Sequence, residues 1–323
     1  DESLVFDTAN HFIITGNHEK IIKYAPAAAQ TAAKMNAFKE SIRLYTIALE
    51  NLEKPAEPAG FVDMPSWKNC MNGLGESLLI SGEYDRSISI YHRLLEKTTS
   101  IIERVKIYEK LCTAYFKKGD WQKAEKSGET GLSLLKESLP VNGYHLYFSS
   151  IKEFVQHLVL LLFTRYLLND KKPDARVSAR LAINFYNTLN WMYILSDTTK
   201  FIRSILRMLN ISLTGLGKSP ELALSIGAYA SLCMAIPLFG RAEKYHRLAL
   251  QMREELGDEW GIAQSLQWMG YMLQWKGDLE NSDAHFVKAI NKFRKLGDAW
   301  ETGMVIHGIE LNHIYAGDYA SAE

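Results

Sequence analysis

The stretch from residue 256 to residue 300 reads LGDEWGIAQSLQWMGYMLQWKGDLENSDAHFVKAINKFRKLGDAW, and Leu-Gly-Asp stands near both of its ends. Between these triplets apolar residues recur at helical spacing, stop at Lys276-Gly277-Asp278, and then recur again. Gly277 can adopt the left-handed conformation that ends a helix, and Asp278 can cap the next helix by accepting backbone N–H bonds. The stretch therefore predicts a helical hairpin.

Residues that end or cap a helix recur between apolar runs at intervals of forty residues. The next turn is expected at Gly317-Asp318, and earlier turns at Pro237 and at Asp197, each between apolar runs. Small residues keep the interval too: Ala242, Ser282 and Ala322 at one offset, and Ala249 and Ala289 at another. Small side chains are expected where close-packed helices leave no room for larger ones. The pattern predicts an array of stacked hairpins over the C-terminal half.

The N-terminal half repeats with a different spacing. Turns are expected at Gly82 and Gly119, which are 119 − 82 = 37 residues apart, and earlier at Gly16-Asn17 and near Asn36. Each predicted hairpin has apolar residues on both faces, so it cannot bury them alone and must stack on its neighbours. The whole chain is therefore expected to be helical.

Three segments resemble the tetratricopeptide repeat. The matching residues are Leu74, Gly75, Leu78, Gly82, Tyr84 and Tyr91; Tyr108, Leu111, Cys112, Tyr115, Gly119, Trp121 and Ala124; and Gly270, Gly277, Phe286 and Ala289. The resemblance implies an all-α fold, a right-handed α-solenoid of about six stacked TPR-like hairpins. The first helix of each hairpin would line a concave groove.

The wider layout resembles the C-terminal helical arm of bacterial signalling ATPases, in which an AAA-type or STAND-type domain is joined to a cyclase, a Ser/Thr kinase or a histidine kinase. The stretches that carry this resemblance are residues 15–52, 131–140 and 219–260. It implies a non-catalytic interaction and sensing arm in a longer protein.

Proline and polar clusters divide the chain. The expected units are N-terminal helical hairpins over 1–54, a proline-rich linker or bend over 55–66, TPR-like hairpins plus a long irregular helix over 67–168, and the forty-residue array over 174–323. The long irregular helix lacks a repeat turn, so we expect it to pack across the stack. Its apolar run Phe154–Thr164 is too short to span a membrane, which favours a buried helix.

Composition excludes several classes of partner. Lys plus Arg (37) equal Asp plus Glu (37), which removes the long-range field that nucleic-acid or anionic-membrane binding normally needs.

Cys70, Cys112 and Cys233 lie far apart in apolar segments. They are expected to be reduced core residues of a cytoplasmic protein.

The sequence has no recognisable catalytic signature. Gly217-Lys218-Ser219 superficially resembles a phosphate loop, but the required glycine five residues earlier is missing, so Gly217 is expected to be a left-handed helix cap. His307 and His313 are six residues apart and fall on different helical faces, unlike a metal pair. We therefore expect no enzyme activity, no cofactor and no metal in this chain.

Amide and aromatic side chains are the candidates for partner binding. Counting back from each turn places seven of them on groove-facing positions: Asn184, Asn187, Trp191, Gln264, Gln267, Tyr271 and Trp275. Amides suit the backbone of an extended peptide, and aromatic rings supply contact area at low entropy cost. The alternative is that the aromatic residues only pack between helices.

Asn69, Asn72 and Lys106 partly resemble the clamp that some tetratricopeptide domains use for carboxylates, although Glu109 would repel such a ligand. The leading hypothesis is an arm that binds a protein or peptide, or its own ATPase domain, in the groove. A free-standing adaptor or co-chaperone-like scaffold, and a small-ligand or peptide-pheromone sensor, remain open.

Overall fold

The protein is built from α-helices. The structure, a computed structural model, describes residues 2–54, 63–137, 143–163 and 173–322, and every regular element in these ranges is an α-helix. Most consecutive helices pack against each other along the chain. The prediction of an all-α solenoid of stacked hairpins is confirmed.

Seven helices lie among the described residues of the N-terminal half. They are α1 (Glu2–Thr15), α2 (His18–Lys34), α3 (Phe38–Leu52), α4 (Met64–Ile80), α5 (Tyr84–Glu96), α6 (Ile101–Lys118) and α7 (Trp121–Leu134). The pairs α2–α3, α4–α5 and α6–α7 are hairpins, and α1 packs on α2. Much of the predicted linker lies outside the described residues, but α4 begins at Met64, with Pro65 in its first turn, where the missing N–H costs no helical hydrogen bond.

In the C-terminal half, the part of the chain that the structure describes contains eight helices. They are α8 (Gly143–Phe163), α9 (Pro173–Ser196), α10 (Thr198–Gly215), α11 (Pro220–Ala235), α12 (Phe239–Leu256), α13 (Glu259–Trp275), α14 (Leu279–Leu296) and α15 (Ala299–Ala316). The hairpins here are α9–α10, α11–α12 and α13–α14, and α15 packs on α14. With the N-terminal pairs they make six hairpins among the described residues.

The turns fall where the forty-residue interval placed them. Gly277 has a φ of +81°, and the Asp278 side chain accepts a hydrogen bond from a backbone N–H of α14. Asp197 caps α10 in the same way, Pro237 separates α11 from α12, and Gly317 ends α15.

Glycine on a first helix makes room for an aromatic ring from the second helix. A Cβ added at Gly270 would lie 2.6 Å from the ring of Phe286, and one added at Gly75 would lie 2.8 Å from the ring of Tyr91. Both rings are fully buried. This contact explains why the same small and large residues recur in hairpins from both halves of the chain.

Helix α8 packs on α10, but its burial is the opposite of what its hydropathy predicts. The apolar side chains of Phe154, Val155 and Leu158 are about half exposed, whereas Glu153 and His157 are buried. Glu153 accepts a hydrogen bond from Asn210 at 2.9 Å on α10. The prediction of a buried apolar helix is therefore wrong for the described residues, because α10 offers polar partners.

The two ends of the solenoid contact each other. The Asn36 Nδ2 after α2 donates a hydrogen bond to the Lys295 carbonyl oxygen at 2.9 Å. A Cβ added at Gly297 would lie 2.8 Å from the Phe38 ring at the start of α3. The turn between α14 and α15 thus rests on the turn between α2 and α3.

Candidate functional site

Three tryptophans, from α9, α13 and α15, form one aromatic cluster. The Trp191 ring of α9 lies 5.1 Å from that of Trp268 on α13 and 5.9 Å from that of Trp300 on α15. Phe116, at the end of α6, packs on Trp300 at 5.4 Å, and the Lys117 Nζ lies 5.2 Å from the same ring. First helices from four repeats therefore converge on one aromatic cluster.

An open groove runs along α2 and α4. Two adjoining cavities of about 770 Å³ and 500 Å³ share the exposed amide side chains of Gln30 and Asn69. Asn72 lines the larger cavity one turn further along α4. Exposed amides on consecutive first helices give this groove a row of paired donors and acceptors.

Charged groups flank the row of amides. The Lys110 Nζ of α6 lies 3.0 Å from a carboxylate oxygen of Glu76, and both residues line the larger cavity. The opposite wall comes from the end of the solenoid, where the Trp260 Nε1 donates to Asp298 at 3.1 Å. The groove thus lies between the N-terminal helices α2 and α4 and the C-terminal residues Trp260 and Asp298.

A second and smaller cavity lies among α9, α10, α11, α12 and α13, and we call it the α9–α13 cleft. Its volume is about 40 Å³, which is room for a few water molecules. Asn187, Trp191 and Trp268 at its rim are partly exposed. Its interior is lined by the buried side chains of Arg253 and His246.

Arg253 is fixed by three hydrogen bonds to α13. Its Nη1 donates to the Gly261 carbonyl oxygen at 2.6 Å and to the Ser265 hydroxyl at 2.8 Å, and its Nη2 donates to the Gln264 carboxamide oxygen at 2.8 Å. Burial lowers the pKa of Arg253 to about 10, and Asp258 opposes this shift. The guanidinium is therefore still charged at neutral pH.

His246 lies on the same face of α12, two turns before Arg253. Its ring is 1% exposed, and its Nε2 has no hydrogen-bond partner among the described residues. Burial, together with the positive charge of Arg253, lowers the pKa of His246 to about 4. The imidazole is therefore neutral at physiological pH.

The seven side chains predicted to face the groove are distributed over different environments. Asn187, Trp191 and Gln264 line the α9–α13 cleft. Gln267 is fully buried, and the Tyr271 hydroxyl donates to the Met304 carbonyl oxygen at 2.9 Å. The remaining two, Asn184 and Trp275, do not line the cleft, and Trp275 is 51% exposed.

Sequence reasoning missed most of the groove on α2 and α4. Asn69 and Asn72 were identified as a partial clamp, and they do line the groove, but the charged residue beside them is Lys110 and not Lys106. Gln30 had no predicted role. Gln30 lies on the first helix of a hairpin, like the candidates in the later repeats. Counting back from the turn after α2 in the same way would have identified it.

The three cysteines are buried and free, as predicted. Burial raises the pKa of Cys70 to about 12, and it also raises the pKa of Cys112 and of Cys233. Such thiols are poor nucleophiles at neutral pH. Within the described ranges no group of three or more His, Cys, Asp or Glu side chains could hold a metal ion, and no helix is long and apolar enough to cross a membrane.

Comparison with known proteins gives structural similarity only. No protein-family profile matches the chain, and no curated protein matches it. BtubC (BKLC) from P. vanneervenii is similar with 19% identity and a TM-score of 0.42, over 75% of this chain and 85% of that one. The STAND protein with a tetratricopeptide repeat sensor, PH0952 from Pyrococcus horikoshii, is similar with 12% identity and a TM-score of 0.48, over 99% of this chain. The chain spans 45% of the length of PH0952.

Proposed function

We propose that this chain is a non-catalytic interaction arm that binds an extended protein segment in the groove on α2 and α4. The observation that carries the proposal is the row of exposed amides from Gln30, Asn69 and Asn72 along consecutive first helices. An amide side chain can both donate to and accept from a peptide backbone, whatever the peptide sequence.

The groove has a length that suits a short segment. Helices α2 and α4 each have 17 residues, which corresponds to about 25 Å at the rise of an α-helix. A fully extended chain covers this distance with about seven or eight residues. Lys110 and Glu76 lie at one end and offer charge-assisted hydrogen bonds to side chains of the segment.

Closure of the solenoid gives the arm a means of sensing. A segment in the larger cavity would contact α2 and α4 on one side and Trp260 and Asp298 on the other. Such a segment would bind the closed form more tightly than the open form, and so shift the equilibrium toward the closed arrangement of the two ends. The size of the shift equals the difference between the two binding free energies. A change at the groove would be transmitted to the α14–α15 turn.

The sequence resemblance to arms of signalling ATPases supports the further proposal that the partner is a signalling protein or the parent's own ATPase domain, in the cytoplasm. Among the residues predicted to bind, Asn187 and Trp191 at the rim of the cleft and the exposed Trp275 offer accessible surface, and we propose them as additional contacts.

The proposal is tested by selecting random octapeptides on the whole chain and measuring the affinity of the enriched peptides by titration. Asn72→Ala and Lys110→Met should each weaken binding about tenfold or more, because each removes hydrogen bonds to the segment, and about 1.4 kcal/mol corresponds to a tenfold change in affinity. Arg86→Ala, on the exposed face of the second helix α5, is the matched control and should leave the affinity unchanged. Equal binding by all three variants, or no enriched peptide, would exclude the groove as a peptide site.

A further inference from the structure

Arg253 is a buried charge without a direct ion pair, although the negative charge of Asp258 favours its charged form. It is 3% exposed, and no carboxylate oxygen of the described residues lies within 4.0 Å of its nitrogens. Arg207 shows the usual arrangement in this protein, since its Nη2 lies 2.8 Å from a carboxylate oxygen of Glu137. Burying a charge without such a partner costs several kcal/mol, so an anion at Arg253 would recover part of that cost.

The guanidinium has donors to spare. Three of its five N–H groups are used by Gly261, Ser265 and Gln264, and its Nε has no acceptor among the described residues. A guanidinium that keeps free N–H groups can bind a planar carboxylate with two parallel hydrogen bonds. The bonds to α13 hold the group in place before any ligand arrives.

The rest of the α9–α13 cleft suits a carboxylate on an apolar stem. Its free volume of about 40 Å³ admits a carboxylate group, and an aromatic stem would lie at the partly exposed rim beside Trp191 and Trp268. The neutral His246, which also lines the cleft, adds an unpartnered Nε2. No Asp or Glu lines the cleft, and the carboxylate that acts on Arg253, Asp258, lies outside its lining. Ile194 and Leu224, with Trp191 and Trp268, form its apolar wall.

We propose that the α9–α13 cleft is a binding site for a carboxylate with an apolar or aromatic stem, held by Arg253 and flanked by the Trp191–Trp268 pair. The site does not depend on the proposed peptide groove, because it shares no lining residue with that groove. Its ligand is either a free organic acid or an acidic side chain of a bound segment.

A purely structural role of Arg253 makes a different prediction. If the arginine only ties α12 to α13, a ligand's charge should not matter. Isothermal titration of the whole chain with phenylacetate and with phenylacetamide separates the two cases, because these probes differ in charge and hardly in shape. We expect phenylacetate to bind at least tenfold more tightly than phenylacetamide. N-acetyl-phenylalanyl-aspartate amide is the probe for a carboxylate that is carried by a peptide.

Two variants locate the binding. Arg253→Gln should weaken phenylacetate at least tenfold, whereas Arg247→Gln, an exposed arginine on the same helix, should leave it unchanged. Because Arg253→Gln could also loosen the α12–α13 contact, Gly227→Leu provides an independent change. Gly227 lines the cleft, and a Cβ there would meet only the Ala249 Cβ, at 3.9 Å. The leucine should fill the cleft and abolish binding, with helix content and melting temperature retained.

Binding of the phenylacetate probe that depends on Arg253 and is blocked by Gly227→Leu would support a free acid as ligand. Binding of the peptide probe alone, with the same dependence, would support an acidic side chain. Equal affinity for phenylacetate and phenylacetamide, tighter binding of inorganic phosphate than of either carboxylate, retained binding in Arg253→Gln, or no binding of either carboxylate probe would overturn the proposal.

Discussion

Asn36 and Lys295 are 259 residues apart, yet the Asn36 side chain donates a hydrogen bond of 2.9 Å to the Lys295 carbonyl oxygen. Beside it, the Lys117 Nζ lies 3.5 Å from a carboxylate oxygen of Asp298. These contacts join the second and sixth helices to the α14–α15 turn, so the solenoid closes on itself. A solenoid otherwise contacts only its nearest neighbours, so closure is a separate and separately breakable feature.

Asn36→Gly should open this closure while leaving the hairpin beneath it intact. Asn36 has a φ of +59°, a conformation that glycine adopts freely, so the substitution removes the side chain without straining the turn. Loss of the hydrogen bond should cost about 1 kcal/mol. Hydrogen exchange should become faster at residues 295–300 and stay unchanged at the Gly82 turn; protection that is equal to wild type would show that the bond does not hold the ends together.

Gly297→Ala should be more damaging than Gly277→Ala. Both glycines have positive φ, +70° and +81°, so both substitutions carry the strain of a left-handed alanine, about 1–2 kcal/mol. Only at Gly297 would the new Cβ also lie within 2.8 Å of the Phe38 ring, whereas at Gly277 nothing lies within 4 Å. Urea denaturation should therefore give a lower midpoint for Gly297→Ala; coincident curves would mean that Phe38 moves aside at no cost.

Local features of this fold could be predicted from the sequence, because they depend on neighbouring residues. The turn at Gly277-Asp278 is an example, since the left-handed glycine and the capping carboxylate act within one helical turn. The burial of Ala289 could be predicted as well, because a small residue recurs at this position, at Ala249 and Ala289, forty residues apart.

Features that depend on the curvature of the whole array could not be predicted. The α8 run has the hydropathy of a buried helix, but which face it buries is decided by polar groups on α10 such as Asn210. On α13 the residue predicted to face the groove and the residue that lines the cleft are neighbours in the sequence. Trp268 lines the cleft while Gln267 is fully buried, and adjacent helical positions differ by only about 100°. Arg253 was overlooked because a lone arginine in a helix usually lies at the surface.

Ala289→Arg should destabilise the C-terminal hairpins by about 3 kcal/mol or more. Ala289 is fully buried among Phe286, Phe293 and Ala263, so an arginine would overpack this cluster and bury an unpaired charge. Val287→Arg, on the exposed face of the same helix, is the control and should change stability by less than about 0.5 kcal/mol. Thermal unfolding of both variants checks the difference, and equal melting temperatures would place Ala289 at the surface.

Trp191→Ala should destabilise the protein, whereas Trp275→Ala should have little effect on stability. Trp191 packs between Trp268 and Trp300, so its removal should cost about 2 kcal/mol or more and reduce the cooperativity of unfolding across α9, α13 and α15. Trp275 is half exposed at the end of α13, and its removal should be neutral within about 0.5 kcal/mol. Chemical denaturation monitored by far-ultraviolet circular dichroism would measure both; a larger loss for Trp275→Ala would contradict the assignment of Trp191 to the aromatic cluster.

Glu301→Gln should stabilise the protein at pH 8 and have little effect near pH 4.5. Burial raises the pKa of the Glu301 carboxyl from 4.5 to about 7, with Lys117 and Gln267 opposing the shift and Asp298 adding to it. The folded state therefore holds this proton more tightly than the unfolded chain, so stability falls as the pH rises from about 4.5 to about 7, and the full loss is present above pH 7. The shift corresponds to about 3 kcal/mol, which the neutral glutamine would restore. Urea denaturation at pH 5 and pH 8 measures the effect, with the exposed Glu259→Gln as the matched control. A stabilisation of equal size at both pH values would show that Glu301 does not titrate in this range and that its carboxyl is ionised throughout.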